Sequence, residues 1–443
     1  MSIINRSRTR IVLLSVIGVG LLAVFGFSAC AWRPAIDPIS LPAAGSFSDG
    51  LVQRGRELAG VGNCMTCHSI EGAPAYAGGY PMQTGFGIVY STNITPDRNS
   101  GIGQWSEEAF ARAMREGVRR DGKHLFPVFP YTHFRLLTDS DMKALYAYFM
   151  TREPATADIP DNTLSFPFKV RALQAGWKLL FFENHDFQST TAKSELWNHG
   201  AYLSEGLGHC GACHTPRNAL GAERDDAAYH GAIVNSWYAP ALNSNNAAPL
   251  VWTENELFVY LRYGVSDLHG VAAGSMSDVV HRGLVDLSGD DIRAIAVYFA
   301  DLGGAGEISN ADVVTAMKVT QADPGGAHVA GAELYESACA SCHFNTLGSP
   351  SALRPELSLN SALYAPEPDN FLRLVLQGVS RKDGHPALFM HGYASSLSDA
   401  NIAEIAQYLR ARHVVHPDRA DNNNWQNIEE RVGQIRHEME VSE

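Results

Sequence analysis

The sequence predicts an all-α protein in which three tandem domains follow an N-terminal transmembrane helix. A chain of 443 residues is long enough for about three domains of ordinary size. A Cys-x-x-Cys-His motif occurs three times, and each copy lies between two helix-like segments that recur in the same order. We therefore expect one domain for each motif, with these boundaries: anchor or signal 1–33, domain one 46–153, linker 154–193, domain two 194–302, linker 303–327, domain three 328–413 and tail helix 414–443.

The N-terminus has the features of a membrane anchor. Three arginines precede an uncharged stretch of 19 residues at 11–29. A helix of that length spans roughly 28 Å, close to the thickness of a bilayer core. Basic residues on its N-terminal side predict that this end is cytoplasmic, which places the domains on the periplasmic face of a bacterial inner membrane. A cleaved signal peptide and a lipidated Cys30 are the alternatives.

The three motifs are attachment signals for c-type haem. In such a site both thiols bind the porphyrin covalently, and the adjacent imidazole becomes the proximal iron ligand. A zinc half-site or a redox dithiol would also use Cys-x-x-Cys, but three copies that each carry the histidine favour haem. We predict three covalently bound haems c, held by Cys64, Cys67, Cys210, Cys213, Cys339 and Cys342, with His68, His214 and His343 as proximal ligands.

A repeated helical plan surrounds the motifs. A helical run that contains a glycine precedes each copy, and a closing helix follows it. The closing helices have a hydroxyl residue as N-cap and a tyrosine ten positions later; the caps are Thr138, Ser288 and Ser398, and the tyrosines are Tyr148, Tyr298 and Tyr408. Two terminal helices that cross beside a haem are typical of a class I cytochrome c domain. We infer this fold for all three domains.

A class I domain needs a second axial ligand, usually methionine sulfur, from the loop before the closing helix. A Gly-Val pair marks that loop in each domain. The residues twelve positions after these glycines are Phe129, Met276 and Met390. Trp105 and Trp252 each lie 24 residues before the first two of these positions and support the register. We therefore predict that Met276 and Met390 are iron ligands.

The first domain departs from this pattern, because Phe129 has no lone pair to offer iron. We predict that His133, four residues further on, is the sixth ligand. His124 lies five residues before Phe129, but its counterpart His385 coexists with Met390 in domain three. A His/His haem would have a lower potential than a His/Met haem. The alternatives to His133 are an open iron, Met114 and Met82.

Two further segments allow alternative interpretations. The linker 154–193 is rich in aromatic residues and either covers the first domain or meets a partner or the membrane. The tail carries an apolar stripe at helical spacing and docks either on its own domain or on a partner; the stripe consists of Trp425, Ile428, Val432, Ile435 and Met439.

The chain resembles the triple-haem cytochrome c subunits of bacterial membrane-bound dehydrogenases over nearly its whole length. The resemblance is carried by F-G-I-V-Y-S-T-N-I-T-P-D at 86–97, G-I-G-Q-W-S at 101–106 and G-L-G-H-C-G-A-C-H-T-P-R-N at 206–218. It implies that the chain passes electrons from a catalytic subunit with flavin, pyrroloquinoline quinone or molybdopterin to membrane ubiquinone. A small iron–sulfur subunit is a further implied partner. Many family members carry Met in place of Phe129.

The variant P-V-F-P-Y-T-H-F at 127–134 is most similar to the cytochrome subunits that accompany molybdopterin aldehyde or N-heterocycle dehydrogenases. A flavin or quinoprotein dehydrogenase of alcohols or sugars is the alternative partner. A peroxidase-like enzyme with an open haem in domain one, and a free periplasmic electron shuttle, are alternatives from other classes. The formal net charge of −13 argues against a nucleic-acid partner. We recognise no flavin or nicotinamide fingerprint, so we expect substrate oxidation to occur in another subunit.

Overall fold

The computed structural model describes residues 31–43, 45–304, 306–319, 328–343, 356–380, 389–414 and 425–442, and also 14–15, 17–18, 21 and 25–29. This part of the chain is mainly helical, and its strands form short antiparallel pairs. The residue contacts divide the chain into two compact units. The first unit comprises Met1–Arg56 and Cys67–Phe187, and the second comprises Glu57–Thr66 and Gln188–Glu443.

The predicted N-terminal transmembrane anchor is not supported by the structure. Within the described ranges, no helix is both long enough and apolar enough to cross a bilayer. A spanning helix needs about 20 consecutive apolar residues. The prediction of an anchored protein at the periplasmic face of the inner membrane, which depended on that helix, is therefore corrected. Cys30 lies outside the described residues.

Six α-helices and one strand pair are described between residues 49 and 181. They are α1 (Asp49–Val61), α2 (Cys64–His68), β1 (Pro81–Thr84), β2 (Gly87–Tyr90), α3 (Glu107–Glu116), α4 (Tyr131–Phe134), α5 (Asp139–Met150) and α6 (Gln174–Phe181). The first unit has its core where α3 and α5 meet, with Phe110 and Phe149 in contact at 6.2 Å between ring centroids.

The second unit contains two further sets of α-helices and short strands. The elements from 195 to 302 are α7 (Glu195–Glu205), α8 (Gly211–His214), β3 (Ala232–Val234), β4 (Trp237–Ala239), α9 (Glu254–Tyr263), β5 (Val265–Ser266), β6 (Gly270–Val271), α10 (Ser275–Asp278) and α11 (Gly289–Leu302). From 310 onward they are α12 (Asn310–Val319), α13 (Val329–Ala338), α14 (Ala340–His343), α15 (Ser361–Tyr364), α16 (Asp369–Gln377), β7 (Gly378–Val379), β8 (Met390–His391), α17 (Asp399–His413) and α18 (Ile428–Ser442).

The three predicted N-caps are confirmed. The hydroxyl oxygens of Thr138, Ser288 and Ser398 accept hydrogen bonds of 3.1–3.2 Å from the backbone N–H groups three residues later. Each bond satisfies one of the N–H groups that a helix start leaves unpaired. The closing helices α5, α11 and α17 therefore begin where the sequence predicts.

A buried glycine lies at the crossing of each closing helix with the helix before the motif. A Cβ added at Gly55, Gly200 or Gly331 would collide with a backbone carbonyl of the closing helix and approach the Cβ of its tyrosine. Only glycine allows two helix backbones to come so close. This crossing recurs three times in the described residues, and we name the three segments repeat 1 (46–153), repeat 2 (194–302) and repeat 3 (328–413).

The tail helix α18 packs on repeat 3. Trp425, Ile428, Val432 and Ile435 are all buried and join the apolar core formed by α16 and α17. The Trp425 indole N–H donates to the carbonyl of Ala365 at 3.1 Å. Burial of this stripe stabilises a helix that would be marginal alone. The structure thus places the tail against its own repeat.

Candidate haem sites

Each Cys-x-x-Cys-His motif forms a short helix of its own. Helix α2 contains the whole first motif, and α8 and α14 each begin directly after the first cysteine of their motif. In repeats 1 and 2 the residue before the first cysteine has a left-handed backbone, with φ of 46° at Asn63 and 38° at His209. A positive φ is uncommon for residues other than glycine. It reverses the chain after the preceding helix, so that cysteines three residues apart lie on one turn. All six motif cysteines are free of disulfide bonds.

The proximal histidines of repeats 1 and 2 are held by the same kind of hydrogen bond. His68 Nδ1 donates to the carbonyl of Thr92, and His214 Nδ1 donates to the carbonyl of Pro240, both at 2.6 Å. A carbonyl only accepts, so Nδ1 carries the proton and Nε2 keeps a lone pair. Burial lowers the pKa of both histidines, which favours the neutral form. This donor set fits a proximal iron ligand.

The thiols do not have the properties of a redox dithiol. Burial raises the pKa of Cys210 to about 12 and that of Cys339 to about 11. A redox-active Cys-x-x-Cys lowers the pKa of its attacking thiol, since the thiolate is the nucleophile. Covalent attachment to a porphyrin removes the thiol proton altogether, so a high pKa does not oppose it.

The predicted ligand loops of repeats 1 and 2 begin with equivalent geometry. Helices α3 and α9 end at Gly117 and Gly264, both left-handed, with φ of 61° and 74°. The carbonyls of these glycines accept hydrogen bonds from the N–H groups eight residues later, at 2.7 and 2.8 Å. Phe129 and Met276 each follow four residues after that bond, but Phe129 lies before α4 and Met276 lies on α10.

Repeat 3 differs from this register. Helix α16 also ends at a glycine with positive φ, Gly378, at 76°. Here Val379 pairs directly with Met390, whereas the equivalent valines of repeats 1 and 2 pair with residues six positions later. Met390 is partly buried and belongs to a strand, not to the loop after it. His385 lies outside the described residues.

His124 is engaged at both ring nitrogens. Its Nε2 lies 2.8 Å from the carbonyl of Ala31, to which it donates, and its Nδ1 accepts from Lys178 Nζ at 3.1 Å. The imidazole therefore has no lone pair left for iron. His133 lies partly buried on α4, four residues after Phe129. The other sequence candidates, Met114 and Met82, pack among apolar side chains of α3 and of the β1–β2 pair.

Two side chains beside these loops were not predicted as site residues. Tyr131 lies over Gly117, and His281 lies over Gly264, where a Cβ would come within 2.5 Å of its Nε2. Tyr131 Oη and His281 Nε2 are buried, and among the described residues neither has a hydrogen-bond partner. Orphaned buried polar atoms at the same place in two repeats fit a site that receives a further group. Both residues stand seven positions before the N-cap, which was the signal available in the sequence.

The helix crossing, the motif helices and the oriented imidazoles together define a c-type cytochrome. In agreement, a family model of cytochrome c matches residues 52–153, and a model of cytochrome c oxidase, cbb3-type, subunit III matches residues 326–409. The chain is a helical electron-transfer protein with cytochrome c domains, and such domains bind haem c covalently.

Similar proteins identify the family. A nicotinate dehydrogenase subunit of Pseudomonas putida is 43% identical over 94% of this chain, which spans only 34% of that protein. The gluconate 2-dehydrogenase cytochrome c subunit of Pantoea cypripedii is 38% identical over 82% of this chain and 86% of its own length. The cytochrome c subunit of the quinone alcohol dehydrogenase of Gluconacetobacter polyoxogenes is 35% identical over 81% and 80%. The chain belongs to the family of dehydrogenase cytochrome c subunits.

Proposed function

We propose that the chain carries three haems c and relays electrons from a partner dehydrogenase to ubiquinone. The observation that supports three sites is the threefold recurrence of one arrangement: a motif helix between two helices that cross at a buried glycine. Gly55, Gly200 and Gly331 mark the crossings. Each arrangement corresponds to one cytochrome domain with the boundaries of its repeat.

The residues that would hold the haems follow from this arrangement. The six motif cysteines form the thioether links, and His68, His214 and His343 are the proximal ligands. Met276 and Met390 are the proposed sixth ligands of repeats 2 and 3, and His133 is that of repeat 1. When bound, the haem supplies reversible one-electron chemistry at iron. The chain itself orients the imidazoles through the carbonyls of Thr92 and Pro240.

We further propose that the partner is a dehydrogenase of aromatic N-heterocycles, of the molybdopterin type. Similarity to the nicotinate dehydrogenase of Pseudomonas putida supports this class, because that relative matches 94% of the chain at 43% identity. The F-P-Y-T-H-F sequence at 129–134 supports it independently. The catalytic subunit would oxidise the substrate, and a small iron–sulfur subunit would pass single electrons to this chain.

Haem counting tests the proposal. We expect the full-length protein to show three haems per chain by pyridine haemochrome assay, all surviving denaturing electrophoresis. Changing Cys210 and Cys213 together to Ala should leave two, because both thioether links of one haem are lost. Cys30→Ala is the control and should leave three, since Cys30 belongs to no motif. Three haems in the double variant would refute the assignment.

The partner is tested in the intact complex. The catalytic subunit that co-purifies with the full-length chain should reduce its haems on addition of nicotinate, and decylubiquinone should reoxidise them. Reduction by gluconate or ethanol, but not by nicotinate, would refute an N-heterocycle partner. Haem reduction without reoxidation by the quinone would refute ubiquinone as acceptor.

A further inference from the structure

A hairpin in repeat 2 projects a tryptophan from a rigid turn. Strands β3 and β4 end in the pair Val234 and Trp237, and the two residues between them, Asn235 and Ser236, have φ of 50° and 62°. Two positive φ values in a two-residue loop are the pattern of a type I′ turn, which matches the twist of the paired strands. The turn therefore fixes the direction in which the Trp237 indole leaves the hairpin.

One side of this hairpin tip packs on the segment that leads to Met276. A Cβ added to Gly274, whose φ is 55°, would lie 2.5 Å from Cε2 of the Trp237 indole. The ring thus occupies the space that a side chain would fill two residues before Met276. Asn235 Nδ2 also lies 3.5 Å from the hydroxyl of Ser275, the next residue along. The tip contacts two consecutive residues beside the proposed iron ligand.

The other side of the tip is bound to helix α16 of repeat 3. Tyr238 donates its backbone N–H to Asn370 Oδ1 and accepts at its carbonyl from Asn370 Nδ2, both at 2.8 Å. Arg373 is buried, and its Nε donates to the carbonyl of Ser236 at 3.0 Å. The Arg373 guanidinium lies 5.9 Å from the Trp237 ring centroid. All these residues belong to the second compact unit.

Helix α16 leads directly into the strand that pairs with the Met390 segment. Its last residue is followed by β7, in which Val379 pairs with Met390. The carbonyl of Val375 on α16 also accepts from the N–H of Tyr393 at 2.9 Å, just after β8. A continuous packed path thus runs from the Met276 segment through Trp237 and α16 to the Met390 segment.

We propose that Trp237 is the electron path between the haem of repeat 2 and the haem of repeat 3. The inference rests on the proposed function, because it requires a haem in each repeat. One electron leaves a ferrous iron, which becomes ferric, and reduces a ferric iron to the ferrous state; no proton moves and no bond is made or broken. Tunnelling weakens steeply with the distance between orbitals. The delocalised π orbitals of a packed indole shorten the distance that the electron must tunnel between the two segments, whereas a saturated side chain offers no such orbitals.

Flash reduction of the full-length protein tests this path. A photochemically generated flavin semiquinone delivers one electron to an exposed haem, and the later redistribution between haems is independent of protein concentration. The phase that involves repeat 3 is identified as the one missing when Cys339 and Cys342 are both changed to Ala. We expect Trp237→Leu to slow this phase several-fold and Trp237→Phe, which keeps an aromatic ring, to retain most of the rate.

Two controls separate electron coupling from a merely structural role. Trp197→Leu removes another indole of the same unit, one that donates to Asp301 at 2.9 Å, and should leave the phase unchanged. The midpoint potentials and the near-infrared sulfur-to-iron bands should remain parental in both Trp237 variants. An unchanged rate in Trp237→Leu would overturn the proposal. A slower rate that comes with altered potentials or a lost band would also overturn it, since Trp237 would then only position Met276.

Failure of the underlying function is distinguishable from failure of the path. If the double change at Cys339 and Cys342 leaves the haem count at its parental value, repeat 3 holds no haem, and both proposals fall. If the count drops by one but Trp237→Leu keeps the parental rate, the three-haem function stands and only the path is refuted.

Discussion

Repeats 1 and 2 are alike in their backbone scaffold and unlike in the side chains around their proposed ligand loops. In both, a buried glycine lets the first helix cross the closing helix, a hydroxyl caps that closing helix, and the proximal imidazole donates to a carbonyl at 2.6 Å. These contacts involve main-chain atoms, which leave little freedom for variation. They fix where a haem would be held.

The differences between the two repeats concern charge and ligand type. Repeat 1 has Phe129 where repeat 2 has Met276, and Tyr131 where repeat 2 has His281. The closing-helix tyrosines differ in one partner. Tyr148 contacts the hydroxyl of Tyr76 at 3.1 Å, and Tyr298 faces Tyr229 in the same way but also donates from its hydroxyl to Glu205 at 2.5 Å. One scaffold could therefore hold haems of different potential, because ligand type and nearby charge both tune the iron.

The shared scaffold gives the largest expected effect. Gly200→Val should abolish the native fold of repeat 2, because its side chain would collide with the backbone of α11 at Ala294. Overpacking typically costs about 1–3 kcal/mol and occasionally more, and a Cβ that collides with the Ala294 carbonyl oxygen belongs at the upper end. We expect loss of one haem in the stained gel and a large drop in the unfolding temperature. Gly289→Ala, which meets no atom within 4 Å, is the control and should be near-parental. A full haem count in Gly200→Val would contradict the shared crossing.

The difference in ligand type is tested with carbon monoxide, which binds ferrous haem only at a free sixth position. Met276→Ala should create one such site in repeat 2, and His133→Ala should create one in repeat 1. His133→Met should raise the potential of the first haem, since a thioether disfavours the ferric state relative to imidazole. The spectrum and redox titration of the reduced protein measure both effects.

His124→Ala is the control for repeat 1. Its ring nitrogens are already bonded to Ala31 and Lys178, so its loss should not open the iron. If His124→Ala gains carbon monoxide binding while His133→Ala does not, our ligand assignment is wrong. A parental protein that already binds carbon monoxide at one haem would instead favour an open iron and a peroxidase-like reaction.

Features determined by local sequence could be predicted, and features determined by tertiary contacts could not. The caps at Thr138, Ser288 and Ser398 were predictable because a hydroxyl, an acidic or polar third residue and an apolar run lie within one helical turn. The Cys-x-x-Cys-His motifs were equally local. Lys178 could not be placed, because its partners His124 and Gly117 lie more than fifty residues away in the chain.

Residue counting describes the two loops only as far as their shared start. Counting twelve from each glycine reaches Phe129 and Met276, which both follow an equivalent backbone hydrogen bond, but Phe129 lies before α4 and Met276 lies on α10. The same count reached Met390, but in repeat 3 the valine after the glycine pairs with Met390 itself, whereas in repeat 2 it pairs with a residue only six positions later. Equal spacing in sequence therefore does not give Met390 the backbone position of Met276. The predicted membrane anchor was wrong: composition gave the apolar stretch at 11–29, but among the described residues no helix is long and apolar enough to cross a bilayer.

The charge difference at the closing-helix tyrosines should shift one potential. Negative charge beside a haem favours ferric iron. Burial is the main cause of the raised pKa of Cys210, and the nearby charge of Glu205 adds to it. Glu205→Gln should therefore raise the midpoint potential of the haem in repeat 2 in a spectroelectrochemical titration. The matched change in repeat 1, Tyr76→Phe, removes a partner without changing charge and should shift the first haem much less. Equal shifts in the two variants would show that the hydrogen bond matters and the charge does not.

The smallest expected effect concerns Lys178 of the linker helix α6, which packs beside the ligand loop of repeat 1. Burial lowers the pKa of Lys178 from 10.5 to about 7, while its Nζ donates to the carbonyl of Gly117 at 3.0 Å. Between pH 7 and 10 the unfolded chain therefore holds a proton that the folded chain has largely released. The free energy of unfolding should rise with pH over this range and level off below pH 7, where both states are protonated.

Urea titrations of the full-length protein from pH 7 to 9 measure this slope. Lys178→Met removes the titrating amine and should flatten the rise of the unfolding free energy with pH. The neighbouring His124 does not replace it, because burial lowers its pKa and keeps the imidazole neutral over this range. Lys169→Met, which changes an exposed lysine of the same linker, should keep the parental slope. Equal slopes in the two variants would mean that Lys178 stays protonated in the folded protein, held by Gly117 and its contact with the Tyr131 ring. The linker would then cover repeat 1 with a permanent positive charge, and the first haem would have a higher potential than its ligands alone imply.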